Sequence, residues 1–200
     1  EIILVDDNST DGTFDKVIKM NNPNVKAYSR KTRGLASAFL LGLINSSSDI
    51  VGWLDSNMGE LAKKLPEMKE KLDENDIVIL SRYVDGGKDL RSPQRILSSK
   101  IINYLCQLML SNKIKDYTSG VFLMKREVLL SVVPISTGHG EFFIEFLYTA
   151  INKNYLIKEI PYKQRKDDDD NTNTSPNLLR FFILGFFYIL RVLFCRFRRN

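Results

Sequence analysis

The opening stretch Glu1-Ile2-Ile3-Leu4-Val5-Asp6-Asp7-Asn8-Ser9-Thr10-Asp11-Gly12-Thr13 limits the possible folds more than any other part of the chain. Four apolar residues in a row, ended by acids and turn formers, predict a short buried strand of the kind found inside a parallel sheet. Asp6 to Thr13 then fall where the strand ends and a helix begins, which is where open α/β sheets place their ligands. Asp11 can cap that helix while Gly12 eases the turn. Asp6 and Asp7 are not explained as caps, because adjacent carboxylates repel. They read as candidate ligand contacts, with a solvated acidic turn as the plain alternative.

The pattern repeats along the chain. Helical spacing at Phe14, Val17 and Ile18 stops at Asn21-Asn22-Pro23, and residues 25–28 suit a strand. Arg33-Gly34-Leu35 opens a helix to about Ile44. Strands follow at 49–54 and 76–80, separated by an amphipathic helix at 60–72. Strand–helix alternation with short connections predicts parallel strands joined by right-handed crossovers. Loops at one edge then converge, bringing Asp7, Asp55 and Ser81-Arg82 together. Residues 84–92 read as a mobile loop, and Pro93 suits the first turn of a helix to about Leu110. Asp116-Tyr117-Thr118-Ser119-Gly120 is a polar turn before a strand at 121–124. A helix at 142–151, a strand at 156–160 and a polar, aperiodic stretch at 163–177 complete the reading.

Two hundred residues suffice for one α/β domain with a real core. The net charge of +5 is unevenly spread, with Arg191, Arg196, Arg198 and Arg199 at the end. That asymmetry suits an anionic membrane surface and argues against a nucleic-acid-binding domain. Cys106 and Cys195 form neither a disulfide framework nor a zinc spacing, which fits a reducing compartment. The chain begins without Met and inside a strand, so further residues are expected upstream, and no signal peptide is visible. In the tail, 178–199, the charge-free run 181–190 is shorter than the ~20 residues of a spanning helix. Arg180, Arg191 and Arg198 fall within roughly 20° of one line on a helix, opposite a Phe/Leu/Ile face. This predicts an interfacial helix laid along anionic lipid, with a core helix bearing snorkelling arginines as the alternative and an oblique pass left open.

Five motifs in order then carry a resemblance: Val5-Asp6-Asp7-Asn8-Ser9-Thr10-Asp11-Gly12-Thr13; Asp55-Ser56-Asn57; Ser81-Arg82-Tyr83 with Gly86-Gly87; Asp116-Tyr117-Thr118-Ser119-Gly120; and Glu159-Ile160-Pro161-Tyr162. Together the chain resembles family-2, GT-A-type glycosyltransferases of the polyprenyl-phosphate branch, similar to dolichyl-phosphate mannose synthases. The resemblance implies a Rossmann-like α/β nucleotide-sugar-binding fold with a mostly parallel central sheet, helices on both faces and a C-terminal amphipathic juxtamembrane helix. Residues 1–175 would form the transferase domain, lacking its first strand, and 176–200 the membrane-interface helix. A phosphorelay receiver phosphorylated on Asp55 would explain only the first two motifs and lacks a later Lys-Pro. A binding-only relative is the third reading.

Residue by residue, the resemblance implies that Val5 and Asp7 hold the nucleotide base. Asp55, Ser56 and Asn57 occupy the Asp-x-Asp site, where Asp55 and Asn57 would hold Mg²⁺ or Mn²⁺ against the diphosphate. Arg82 would face the phosphates, Asp116 would stand near the reacting centre, and Arg165 would be the late basic group, making these three the catalytic candidates. A phosphate acceptor is already a good nucleophile and needs cationic grip, for which Arg95 and Lys100, with Arg91, are candidates. Mannose from GDP-mannose would pass, with inversion, to a polyprenyl phosphate on the cytoplasmic face of a membrane, with no nucleic acid involved and the oligomeric state open. The departures are Asn57 for the second acid, Gly59 for a Gln, Asn173-Thr174-Ser175-Pro176 for Gly-x-Ser-Lys, and a Pro-x-Tyr-x-Glu strand expected upstream of Glu1. Glu60 reads as a helix cap or a substitute ligand. His139 between two glycines reads as solvent-facing, Trp53 and Tyr83 as packing residues, and Asp167 to Asp170 as a solvated loop.

Overall fold

A computed structural model describes residues 1–133, 138–165 and 178–198, with Asn57 and 178–182 described by their backbone alone. The chain runs β1 (Ile2–Asp6), α1 (Thr13–Lys19), β2 (Val25–Ser29), α2 (Leu35–Ile44), β3 (Ile50–Trp53), a 3-10 helix (Ser56–Lys64) leading into α3 (Leu65–Lys71), and β4 (Ile77–Ser81). It continues with β5 (Lys88–Asp89), α4 (Pro93–Met109), β6 (Phe122–Lys125), a second 3-10 turn (Arg126–Leu130), α5 (Phe142–Asn152), β7 (Ile157–Pro161), β8 (Lys163–Gln164) and α6 (Leu178–Phe197).

The opening strand forms where the apolar run predicts it. β1 pairs in parallel with β2, Val5 opposite Tyr28 and Asp6 opposite Ser29. Gly12, just before α1, has φ of 77°, a left-handed conformation that a side chain would strain. α1 buries none of its residues, so this corner of the molecule is thinly covered. α2 packs on β1 and carries Phe39 into the core, where its ring meets Trp53 at 5.3 Å, Phe122 at 5.4 Å and Phe142 at 5.6 Å.

The central sheet has the order β3-β6-β4-β7. β4 is buried on both faces. Ile77 and Ile79 join one core cluster with Phe122 and Phe146, while Val78 and Leu80 join another with Met68, Leu72 and Ile160. Each such side chain contributes about 1.5–3 kcal/mol by burial. Helices therefore cover both faces, as the sequence predicts.

The mostly parallel sheet is corrected to a mixed one: β7 is parallel to β4, but β6 runs antiparallel to both β3 and β4. The reason lies in the turn before β6, whose last residue accepts from the Leu80 N–H at the carboxyl end of β4 (3.0 Å). A strand that starts where its neighbour ends must run backwards. β3 and β4, both antiparallel to β6, still share an edge at their carboxyl ends.

Residues 84–92 are not the free loop the composition suggests. β5 pairs in parallel with β8, Lys88 opposite Lys163 and Asp89 opposite Gln164. Gly87 permits the fold-back, since a Cβ there would lie 2.7 Å from the carbonyl oxygens of Ser81 and Arg82. Two-residue strands carry no periodicity, so the sequence cannot announce them.

α6 packs against α4 and α5, burying Val192 and Cys195. Here the cationic stripe is corrected. Arg191 and Arg198 each reach buried Glu145 of α5 at 2.6 Å, because a buried carboxylate needs a counter-charge. The Arg180 side chain, Arg199, the Asn173 to Pro176 motif and the acidic run from Asp167 lie outside the described residues. Among the described residues no helix is long and apolar enough to cross a membrane.

Candidate functional site

The two adjacent acids after β1 avoid one another by turning to different partners. Asp6 is buried and its Oδ2 accepts the Ser9 N–H at 2.9 Å, closing its own turn. Asp7 points to α2: Oδ1 accepts from Arg30 Nε at 2.6 Å and Oδ2 from the Gly34 N–H at 2.8 Å. Arg30 is fixed in turn by Ser37 Oγ and the Gly34 carbonyl, both at 2.8 Å. The Asp7 side chain stays 29% exposed, and Oδ2 keeps a second lone pair, so a ligand N–H can still be accepted. Val5 is half-buried below it, against α2. Asp11 accepts the Thr13 N–H at 2.9 Å in a turn leading into α1, but the N-cap is Gly12 and not Asp11 as expected.

At the end of β3, Asp55 is half-buried. Burial pushes its carboxyl pKa up, opposed by the charge of His139 and by a hydrogen bond from Trp53. Its ionised form is therefore under-compensated, a state that a bound cation would relieve. Ser56 is exposed at the start of the 3-10 helix, and the Asn57 side chain is not described. Glu60 is neither helix cap nor candidate ligand here: it pairs with Arg165, which reaches over from the end of β8. The two line a cleft of about 490 Å³ with Leu61, Lys64, Tyr162 and Lys163. Among the described residues no three His, Cys, Asp or Glu side chains form a metal-ligating group.

At the end of β4 the structure departs most from expectation. Arg82, expected to face phosphates, and Asp116, expected at the reacting centre, are locked to each other. Asp116 Oδ2 accepts the Arg82 backbone N–H at 2.9 Å and Nε at 2.8 Å, while Oδ1 accepts from Nη2 at 2.7 Å. Their side chains are 2% and 0% exposed. Burial works against the guanidinium charge, and Asp116 more than restores it. Glu159 of β7 steadies the turn by accepting the Lys115 and Asp116 N–H groups at 2.8 and 3.0 Å. Arg82 Nη2 also donates to Thr118 Oγ1 at 2.7 Å, which links to Ser99 of α4 at 3.0 Å. On α4, Arg95 lies within about 40° of Ser99, whereas Lys100 is turned about 100° from it and is exposed.

Asp55 and Arg82 follow β3 and β4 at one edge of the sheet, on either side of β6. The charges of Glu141, Arg82, Arg91 and Asp55 all bear on the hydroxyl of Tyr188, a residue of α6 whose pKa burial raises. Arg165 stays with Glu60 across the cleft they line, and Asp7 stays with α2. Sequence reasoning missed Arg30 beside Asp7, Asp89 beside Arg82, and Glu145 under α6; His139 is exposed, as expected. Arg30 was findable, since it directly follows the strand that pairs with β1. The others depend on long-range packing that leaves no local signal.

The family signature described as glycosyl transferase family 2 matches residues 1–132. The dolichol-phosphate mannosyltransferase of Pyrococcus furiosus is 35% identical over 138 residues, covering 66% of this chain and 39% of that protein. The undecaprenyl-phosphate mannosyltransferase of Micrococcus luteus is 28% identical over 174 residues, covering 80% and 70%. The dolichol-phosphate mannosyltransferase of Saccharomyces cerevisiae is 28% identical, covering 67% and 51%. The chain thus spans from about two fifths to about two thirds of these relatives' lengths. Glucosyl-3-phosphoglycerate synthase from Mycobacterium tuberculosis in complex with UDP superposes with a TM-score of 0.71 at 18% identity, covering 99% of this chain and 69% of that one. The same enzyme with Mn²⁺, UDP and glucosyl-3-phosphoglycerate gives 0.70 at 19%, covering 100% and 70%; at this identity the likeness shows the fold. On the family match over 1–132, this chain belongs to glycosyl transferase family 2.

Proposed function

We propose that the chain is the catalytic part of an inverting glycosyltransferase that moves mannose from GDP-mannose to a polyprenyl phosphate at the cytoplasmic face of a membrane. The observation that carries this reading is the edge shared by β3 and β4, where half-buried Asp55 and the Arg82–Asp116 pair stand on either side of β6. The mannosyltransferase relatives give the substrate class its support. A phosphorelay receiver is not favoured, since the family match runs through 1–132.

In this reading Val5 and Asp7 hold the base, Asp7 accepting a ring N–H with Arg30 fixing its plane. Asp55, Ser56 and Asn57 face the diphosphate. Asp55 suits a divalent cation, being a carboxylate whose burial leaves its charge under-compensated. Mg²⁺ commonly takes only one or two carboxylates alongside substrate phosphates. With Asn57 at its side, Asp55 would hold Mg²⁺ or Mn²⁺, which when bound supplies charge stabilisation to the leaving diphosphate. Asp116 acts on Arg82 as a positioning residue. Arg95 and Arg165 supply further cationic grip around the acceptor, while Lys100 is turned away from it.

The membrane contact also has structural support, on a face other than the one the arginine pattern predicts. Ile183, Phe186, Phe187, Leu190, Phe194 and Phe197 are all exposed and fall within about 100° of arc on α6. On α4, which packs on α6, Leu97, Ile101, Tyr104 and Leu108 form a second exposed row. An apolar row of this kind is what an interfacial helix buries in lipid.

Labelled nucleotide sugars, polyprenyl phosphate and Mg²⁺ or Mn²⁺ test the proposal. Transfer is expected, and Asp55→Ala should lower it by about 10²–10³-fold, the scale of losing one preorganised electrostatic contact. Donor binding without turnover would mark a binding-only relative, and an unchanged Asp55→Ala rate would remove Asp55 from the site.

A further inference from the structure

The 84–92 segment sets a carboxylate of its own against Arg82 and Arg91. Asp89, on β5, is a side chain only 2% exposed that lies between two guanidinium groups. Arg91 holds it from one side, Nε to Oδ1 at 2.9 Å and Nη2 to Oδ2 at 2.7 Å. On the other side Arg82 Nη1 stands 3.6 Å from Oδ2, and the Tyr83 hydroxyl donates to the same oxygen at 3.1 Å. Burial opposes the carboxylate charge, but the arginines outweigh it and hold the Asp89 pKa below its ordinary value. Asp116 engages Nε and Nη2 of Arg82, so Nη1 is the arm turned to Asp89.

We infer that the Asp89 carboxylate occupies the seat of a phosphate monoester, and that an incoming phosphate must displace it to reach Arg82 Nη1, Arg91 and the Tyr83 hydroxyl. The chemistry matches. Two guanidiniums and a phenol are donors that a carboxylate can satisfy only in part, whereas a phosphate brings a larger charge and three strong acceptor oxygens. The covering segment is also lightly fastened. Its hold on the body includes the two-residue pairing of β5 with β8, where the Lys88 N–H donates to the Tyr162 carbonyl and the Leu90 N–H to the Gln164 carbonyl, each at 3.0 Å. Gly86, with φ of 85°, and Gly87 form a turn at which the segment can lift. Asp89 therefore acts as a specificity-determining residue: it holds the site closed to weak anions and yields to a dianionic phosphate.

The inference deepens the acceptor side of the proposed transferase and rests on that reading for its biological ligand, but its test does not depend on transfer. Inorganic phosphate is titrated calorimetrically into the wild-type chain and Asp89→Asn, which keeps the size and removes the charge. The variant is expected to bind phosphate about tenfold tighter, a difference of about 1.4 kcal/mol. In the wild type, phosphate should speed hydrogen exchange at the Lys88 and Leu90 amides, a readout that needs no variant to fold. Equal or weaker phosphate binding by Asp89→Asn would overturn the inference and make Asp89 a strut for Arg91. Protection, or no change, of the two amides would likewise overturn it. A chain that binds phosphate in this way but transfers no sugar would uphold the inference and refute the acceptor assignment alone.

Discussion

Two arginine–aspartate pairs follow two strands of this fold, and they serve different ends. Asp7–Arg30 follows β1 and β2 at a thinly covered corner, with side chains 29% and 14% exposed. Asp116–Arg82 follows β4 in the interior, at 0% and 2%. Both contacts are charge-assisted, but Arg30 meets Asp7 through Oδ1 alone, whereas Arg82 meets Asp116 through both oxygens. Burial separates them further. The outer pair leaves a carboxylate able to accept another hydrogen bond, whereas the inner pair fixes Arg82 through Nε and Nη2 and turns Nη1 toward Asp89. A motif read from sequence gives residue types without saying which kind of pair they form.

The sharpest way to break the comparison is to remove one partner of each pair. Asp116→Ala strands Arg82 in the interior and should cost about 3–5 kcal/mol, read as a lowered urea midpoint at unchanged slope. Replacing both Asp116 and Arg82 with apolar residues should cost less than that single change, because no buried charge is then left alone. Asp7→Ala should cost only about 1 kcal/mol or less in stability, as the pair is partly solvated. Its larger effect should fall on the donor, with KM raised about tenfold, equivalent to about 1.4 kcal/mol of binding. A stability loss for Asp7→Ala as large as that for Asp116→Ala would erase the distinction.

The smallest effect is a pH dependence beside the inner pair. Burial raises the pKa of Glu159 above its ordinary value. The folded chain then holds this proton longer than the unfolded chain, so stability falls as pH rises from the ordinary carboxylate range through the raised pKa. Glu159→Gln should flatten that slope in denaturation curves across mildly acidic pH. A slope that persists would place the titration elsewhere.

Much of the fold was legible because it is written in local patterns. The apolar run before Asp6, the four residues before Ser81 and the Pro93 helix start each form as their spacing dictates. The direction of β6 was not legible: a strand's apolar pattern is the same in either sense, and only the position of the turn before it sets its course. The site was legible as residue types, with Asp55 and Arg82 arriving at one edge as their placement after strands implies. Their partners were not. Asp89 sits in a segment whose glycines and charges read as a free loop, and its pairing with Gln164 is a contact between distant stretches. Glu145 lies in the apolar helix α5, where its role shows only once Arg191 and Arg198 arrive from α6.

That last contact changes how the chain would respond to ionic strength. Arg191 and Arg198 share the single Glu145 carboxylate within the fold. A contact made through the exposed apolar row of α6 would rest on apolar burial more than on attraction between arginines and acidic headgroups. Binding of this kind does not fade as the Debye length shrinks, so added salt that strips a polybasic segment from vesicles should leave this helix in place.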